Sequence, residues 1–181
     1  IPILPPSQFA RLFISDTPLL DVRAPVEVSK GSFPSSTNIP LLNDEQRRLI
    51  GIDYKHNGHD SAVKLGYQLI GPSQREALIE RWLDYFANHE EAALYCYRGG
   101  QRSQITQQWL ADAGKPIPRI EGGYKALRNW LLSVVESVAA TTPLVIAGGK
   151  TGSGKTHLIN SLPYSVDLEG RANHRGSAFG P

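Results

Sequence analysis

Apolar positions along this chain fall into short runs separated by stretches of helical spacing. Ala92-Ala93-Leu94-Tyr95 is an apolar run of strand length, and Pro18-Leu19-Leu20-Asp21-Val22-Arg23 is a second that ends in charge. Asn38-Ile39-Pro40-Leu41 and Pro118-Arg119-Ile120 read as further short extended pieces. Between them the period turns helical from Asp60 to about Ile70 and from Ser73 to about His89. In the second stretch Ala77, Leu78, Trp82, Leu83, Tyr85 and Phe86 make a broad stripe, opened by Pro72 and Ser73. Ser103 to Ala113 sets Ile105, Trp109, Leu110 and Ala113 at helical spacing, and Gly114 and Pro116 end the pattern. Gly122-Gly123 leads into another helix, with Tyr124, Leu127, Trp130, Leu131, Val134, Val135 and Val138 on one face. Alternating short strands and helices predict an α/β fold with a central parallel sheet flanked by helices.

Thr141-Thr142-Pro143 reads as a boundary, dividing the chain into 1–139 and 140–181. Beyond it, Leu144-Val145-Ile146-Ala147 is an apolar strand candidate, His157 to Leu162 a helix candidate, and Tyr164-Ser165-Val166-Asp167 a further short strand.

Cys96, the lone cysteine, opens the run Cys96-Tyr97-Arg98-Gly99-Gly100-Gln101-Arg102-Ser103 between the predicted strand and the predicted helix. A glycine-rich turn at a helix N-terminus aims backbone N–H groups and the positive end of the helix dipole at the sulfur. Arg98 and Arg102 add full charges. Together these favour thiolate, the nucleophilic form. Gly99 and Gly100 are expected to take positive φ angles, so that consecutive amides curl around an anion. A buried cysteine used as a small hydrophobe is the alternative. It leaves two arginines and a double glycine without a purpose.

A second motif follows the predicted strand 144–147. Gly149-Lys150-Thr151-Gly152-Ser153-Gly154-Lys155-Thr156 fits the phosphate-binding loop G-x-x-x-x-G-K-[ST] in full. The backbone at Gly149, Gly152, Ser153 and Gly154 is expected to cradle a di- or triphosphate. Lys155 would reach its outer oxygens, Thr156 would hold Mg²⁺, and Asp167 is a candidate second metal contact. Only 25 residues follow Thr156. A phosphate-loop domain usually needs at least ~100 residues, so this one reads as cut off and is expected to bind its ligand weakly alone.

Composition narrows the setting. The 181 residues are 40% apolar, enough for an ordinary core, and one cysteine excludes an internal disulfide. A reducing, cytoplasmic setting is expected. No run approaches membrane-span length, and no signal peptide opens the chain. The start at Ile1 and the absence of methionine suggest a trimmed segment of a longer protein. A net charge of +2 is too small to announce nucleic-acid binding by itself. His56 and His59 share a polar loop, more in keeping with surface residues than with a metal site. Arg171, His174 and Arg175 form a basic cluster that suits either a solvated loop or phosphate contacts.

Over roughly the first 137 residues the chain resembles the rhodanese family. The matching pieces are Leu20-Asp21-Val22-Arg23 with Glu27, Gly31 to Pro40, the cysteine loop, and Gly122-Gly123-Tyr124-Lys125-Ala126. Rhodaneses carry sulfur as a persulfide, and the resemblance places that role on Cys96. Asp21, Arg23 and Glu27 are expected to form a structural ion-pair and turn framework. In ordinary sulfur-transferring rhodaneses the arginine usually stands five positions after the cysteine, whereas here Arg102 stands six after Cys96. The longer loop is similar to that of rhodanese-fold phosphatases, which encircle a tetrahedral phosphate.

The cysteine loop, the phosphate loop, Asp167-Leu168-Glu169-Gly170 and Asn173-His174-Arg175-Gly176-Ser177 together look like the tRNA 2-selenouridine synthase family, whose members are about twice this length. That resemblance implies replacement of sulfur by selenium in wobble-position 2-thiouridine of tRNA, with selenophosphate as donor and a thiouridine geranylated from geranyl diphosphate as intermediate. It implies Cys96 as chalcogen carrier, in a loop of Arg98, Gly99, Gly100, Gln101, Arg102 and Ser103. The phosphate loop suits geranyl diphosphate or a nucleotide equally well. Two other readings stand beside it. One is a rhodanese-fold sulfurtransferase, phosphatase or arsenate reductase, although such phosphatases normally have histidine where Tyr95 stands. The other is a nucleotide-dependent regulatory module with a non-catalytic rhodanese domain.

Overall fold

Two short segments, Leu19–Asp21 and Ala93–Tyr95, are buried at every position, as befits strands covered on both faces. A computed structural model describes residues 1–150 and 152–171. Its elements run β1 (Ile3–Leu4), α1 (Phe9–Ile14), β2 (Leu19–Asp21), α2 (Pro25–Val28), β3 (Ser36–Asn38), α3 (Asp44–Asn57), α4 (His59–Asn88), β4 (Ala93–Tyr95), α5 (Gln101–Asp112), β5 (Arg119–Ile120), α6 (Gly123–Thr141), α7 (Lys155–Ser161) and α8 (Leu168–Arg171). Five strands form one parallel sheet in the order β1-β5-β4-β2-β3. The central register sets Leu20 beside Leu94 and Asp21 beside Tyr95. Chain order reverses between β2 and β4, and the carboxyl ends of strands at such a switch point form a crevice.

Strand alternation divides the core. Leu20, Val22, Leu94 and Cys96 face one cluster, completed by Trp82, Phe86, Trp109 and Leu110 of α4 and α5. Leu19, Ala93, Tyr95 and Ile120 face the other, with Phe9 and Leu12 of α1 and Leu127 of α6. The Trp82 indole N–H donates to the Ile39 carbonyl at 3.0 Å, so the largest buried ring keeps its hydrogen bond.

The two helices expected over 60–70 and 73–89 are present as α4, broken at Gly71 (φ 62°, ψ 168°) just before Pro72. The cysteine helix begins at Gln101, two residues earlier than its apolar spacing suggested. α3 was not read in the sequence. It opens on a capping box in which Asn43 and Gln46 exchange side-chain-to-backbone hydrogen bonds of 2.8 and 3.0 Å. The stripe expected along α6 packs only in its first half. Leu127 is fully buried, whereas Val135 and Val138 are exposed.

Contacts divide the chain into Ile1–Val135 and Glu136–Pro181. Within the second unit, residues 144–147 form no strand, and Val145 is fully exposed. An apolar run becomes a strand only where a neighbour pairs its backbone, and none among the described residues does so. Nor do 164–167 form a strand. Tyr164 sits at φ 62° and Asp167 caps α8, its Oδ1 accepting from the Gly170 N–H at 3.0 Å. His174, Arg175 and the rest of 172–181 lie outside the described residues. Among the described residues no helix is long and apolar enough to cross a membrane.

The most buried charges are Asp21 and Arg23, 0% and 1% exposed and joined at 2.6 Å. Removing one partner of a buried pair strands the other. Asp21→Ala is therefore expected to cost about 3–5 kcal/mol of stability, read as a lowered midpoint in chemical denaturation.

Candidate active site

β4 ends at Tyr95, and its alternation sends Tyr95 and Cys96 to opposite faces of the sheet. Tyr95 donates its hydroxyl to Asp21 Oδ2 at 2.9 Å and lies 2.9 Å from Ser36 Oγ. Burial, then the Asp21 charge, push that phenol well above its ordinary range. Cys96 points toward α5. Its Sγ lies 3.3 Å from Ser103 Oγ, which in turn donates to the Gly100 carbonyl at 2.9 Å. A hydroxyl rotates freely, so Ser103 accepts from a thiol or donates to a thiolate.

The loop around the sulfur is fixed by close backbone contacts. The Cys96 and Tyr97 carbonyls accept from the Tyr124 and Lys125 N–H groups at 2.9 and 3.0 Å. Gly99 takes φ 65°, and a Cβ there would stand 2.7 Å from the Gly122 nitrogen. Arg119 secures the same residue, donating to its carbonyl at 2.9 Å. Gly100 departs from expectation. Its φ is −94° and a Cβ would meet open space, because it serves as the residue preceding α5 rather than as part of the curl.

Arg102 is engaged from the side. Both its terminal nitrogens bind the Glu27 carboxylate, NH2 to Oε1 at 3.0 Å. Glu27 also accepts from the Ala24 N–H at 3.0 Å and pairs with Arg47 at 3.1 Å. Burial alone would lift the Glu27 carboxyl, but hydrogen bonding and charge from Arg102 hold it below the usual carboxylate range. Burial would likewise lower Arg102, and Glu27, followed by Cys96, raises it instead. The framework role expected of Asp21 and Arg23 matches their geometry, whereas Glu27 does more by holding a residue of the cysteine loop.

Cys96, only 3% exposed, forms the floor of a cleft of about 900 Å³. Arg23, Lys30, Arg47, Arg98, Arg102, Lys125 and Arg128 line it, against one acid, Glu27. Low-dielectric walls of one sign concentrate anions. Sequence reading named Arg98 and Arg102 but missed Lys30, Arg47 and Arg128, which converge from three separate elements and carry no local signal. Lys125 was legible only through the Gly122-Gly123 turn that delivers it.

The second candidate site is described by itself. Gly152 and Gly154 take φ 81° and 82°, and a Cβ on Gly149 would stand 2.8 Å from Ser153 Oγ. The Lys155 ammonium donates to the Gly149 and Lys150 carbonyls at 2.8 and 2.9 Å, so it arches over the loop. α7 starts at Lys155 and Thr156 is exposed. Thr151 lies outside the described residues. These residues fit a phosphate group held by backbone amides and one ammonium.

Residues 6–129 match the profile of the rhodanese-like domain, and residues 142–181 match that of the tRNA 2-selenouridine synthase AAA domain. A tRNA 2-selenouridine synthase of Sulfurovum sp. (strain NBC37-1) is 53% identical over 96% of this chain and 48% of its own length. One from Marinobacter nauticus is 51% identical, over 95% and 47%. The chain thus spans about half the length of the curated relatives it matches. Among solved structures, the N-terminal domain of a protein from Clostridium difficile 630 described as ATP/GTP binding matches 72% of this chain and 98% of its own. Its TM-score is 0.64 at 25% identity.

The Glu27 clamp sets a pH dependence. A carboxylate with a depressed folded pKa contributes stability above its unfolded value, and that contribution disappears as pH falls through the folded one. Native protein is therefore expected to exceed Glu27→Gln in stability at neutral pH. The gap should hold down to about pH 4.5, the ordinary value, and close in more acid solution, as read by denaturation across pH.

Proposed function

This chain belongs to the rhodanese-like family, and from that premise we propose that it is the chalcogen-handling part of a tRNA 2-selenouridine synthase. The reaction is replacement of sulfur by selenium in wobble 2-thiouridine, in the cytoplasm. One observation carries this reading. The lone thiol lies at the floor of a cleft whose charged lining residues are all cationic but one, Glu27. Such a cleft suits selenophosphate, a tetrahedral anion, and the phosphates of an RNA backbone.

Residues 1–139 act as the carrier domain. Cys96 takes selenium from selenophosphate, with Arg98 and the backbone of Gly99, Gly100 and Gln101 meeting the anion. Arg102, held by Glu27, and Ser103, beside the sulfur, complete the loop. Water takes the phosphoryl group, phosphate leaves, and selenium joins the sulfur as a disulfide-class acceptor is reduced to two thiols. The terminal selenium then attacks C2 of the geranylated thiouridine, and geranylthiolate departs. The two thiols formed earlier then cleave the sulfur–selenium bond, one through a mixed disulfide with Cys96 that the other resolves, which restores the disulfide and makes the cycle redox-neutral. Conversion of the nucleobase thione to a thioether is what makes its sulfur a leaving group.

Residues 140–181 begin the phosphate-handling domain. Gly149, Gly152, Ser153, Gly154 and Lys155 would hold the diphosphate of geranyl diphosphate or the outer phosphates of a nucleotide. Thr156, with Asp167 as a candidate partner, would contact Mg²⁺, which neutralises phosphate charge when bound.

Cys96→Ala is expected to abolish selenium incorporation into tRNA, while Lys155→Ala impairs geranylation and leaves selenium loading intact. Mass spectrometry after exposure to selenophosphate and a small disulfide should find selenium on Cys96. An unloaded Cys96, or both variants failing at one step, would refute this division of labour.

A further inference from the structure

A second cavity of about 390 Å³ opens beside the cationic cleft, and its lining is of opposite character. Leu42 before α3, Ile50 of α3, Val63 and Tyr67 of α4, and Ile105 and Trp109 of α5 supply apolar walls, and no acidic residue lines it. Arg47, Tyr54, Gln101 and Arg102 line both cavities, so the two share a wall at the start of α5. Cys96 belongs to the same core cluster as Trp109, and Ile50 and Ile105 pack against that cluster. The sulfur and the apolar groove therefore lie on one side of the sheet, with two arginines between them.

We infer that this groove receives the apolar tail of a substrate whose anionic or polar head and reacting atom sit in the cationic cleft. The occupant is a neutral, flexible hydrocarbon chain of isoprenoid size joined to a nucleotide or phosphate. Charge complementarity argues for this arrangement. The guanidinium groups stand where head meets tail, and the groove is within the size range of small-ligand cavities. Arg47 and Arg102 share the one Glu27 carboxylate, which leaves a net positive charge on that wall for an anionic head, and an anion without a tail would leave the groove wet. This inference rests on the reading of Cys96 as chalcogen carrier, and it assigns to the carrier domain the recognition of the leaving group's hydrocarbon chain.

The test uses the full 181-residue chain with Lys155→Ala as background, which removes phosphate binding at residues 149–156. Trp109 fluorescence and isothermal titration follow geranyl phosphate against methyl phosphate. RNA stem-loops carrying S-geranyl or S-methyl 2-thiouridine form the second pair. Burial of the chain predicts about tenfold or greater preference for each geranyl probe. Val63→Trp, which fills the groove, and Ile105→Gln, which wets it, should each erase the preference while leaving the methyl probes unchanged. Cys96→Ser should retain it. Equal affinity for geranyl and methyl probes overturns the inference, as does a preference untouched by both groove variants. So does a groove closed by a second copy of the chain in sedimentation. Selenium loading without geranyl preference sinks the groove alone. Geranyl preference without loading sinks the carrier reading and keeps the groove.

Discussion

The Arg23 guanidinium ties together the segments that surround the Cys96 loop. It forms three hydrogen bonds with Asp21 at the end of β2 and donates to the Gly31 carbonyl at 3.0 Å. Its plane lies 3.9 Å from the Tyr124 ring centroid. One buried side chain therefore joins β2, the turn after α2 and the start of α6. An ion pair this deep adds little net stability over an apolar substitute, because both charges lose water. Its contribution is geometric: its donors fix the segment after β2 through Asp21, Glu27 and Gly31, and its guanidinium lies over Tyr124, whose N–H binds the Cys96 carbonyl. Cys96 therefore meets this network through the Tyr124 backbone.

Glu27 extends the same logic outward. Its single carboxylate is shared by Arg102 and Arg47 and ties α2 to α5 and α3. Arg102 was expected to grip an incoming anion, yet its guanidinium is already committed to a carboxylate. An anion entering the cleft meets the lysines and arginines of the rim first and reaches Arg102 only in competition with Glu27. The thiol's neighbourhood therefore has two kinds of cation, those that position and those that attract.

How much of this was legible in the sequence follows from the range of the interactions involved. The cysteine loop was legible because strand, glycine turn and helix are contiguous, and each announces itself within a few residues. The phosphate loop was legible for the same reason. The Glu27–Arg102 pair spans 75 positions and leaves no local trace. α3 was missed because it is mostly polar and carries few apolar residues, although Asn43 and Gln46 stood at capping-box spacing. Leu144 to Ala147 misled in the opposite sense. Hydropathy reports a wish for burial, and a strand also requires a neighbour's backbone.

The net charge of +2 concealed the cleft for a related reason. Whole-chain charge averages over position, whereas folding gathers cations from six elements and loops around one cleft. Among the described residues no ion pair engages Lys30, Arg98, Lys125 or Arg128, while Arg23 pairs with Asp21, and Arg47 and Arg102 share Glu27. Arg23 and Arg102 lie innermost, 1% and 22% exposed, where an uncompensated charge would cost most in desolvation, and Arg47 is 44% exposed. The unmatched ones lie toward solvent, where a passing polyanion finds them at little such cost. A site graded in this way presents its unpaired cations to solvent at the rim. At its floor Cys96 shares the cleft with three arginines that have two carboxylates between them, Asp21 and Glu27, so one positive charge remains uncompensated.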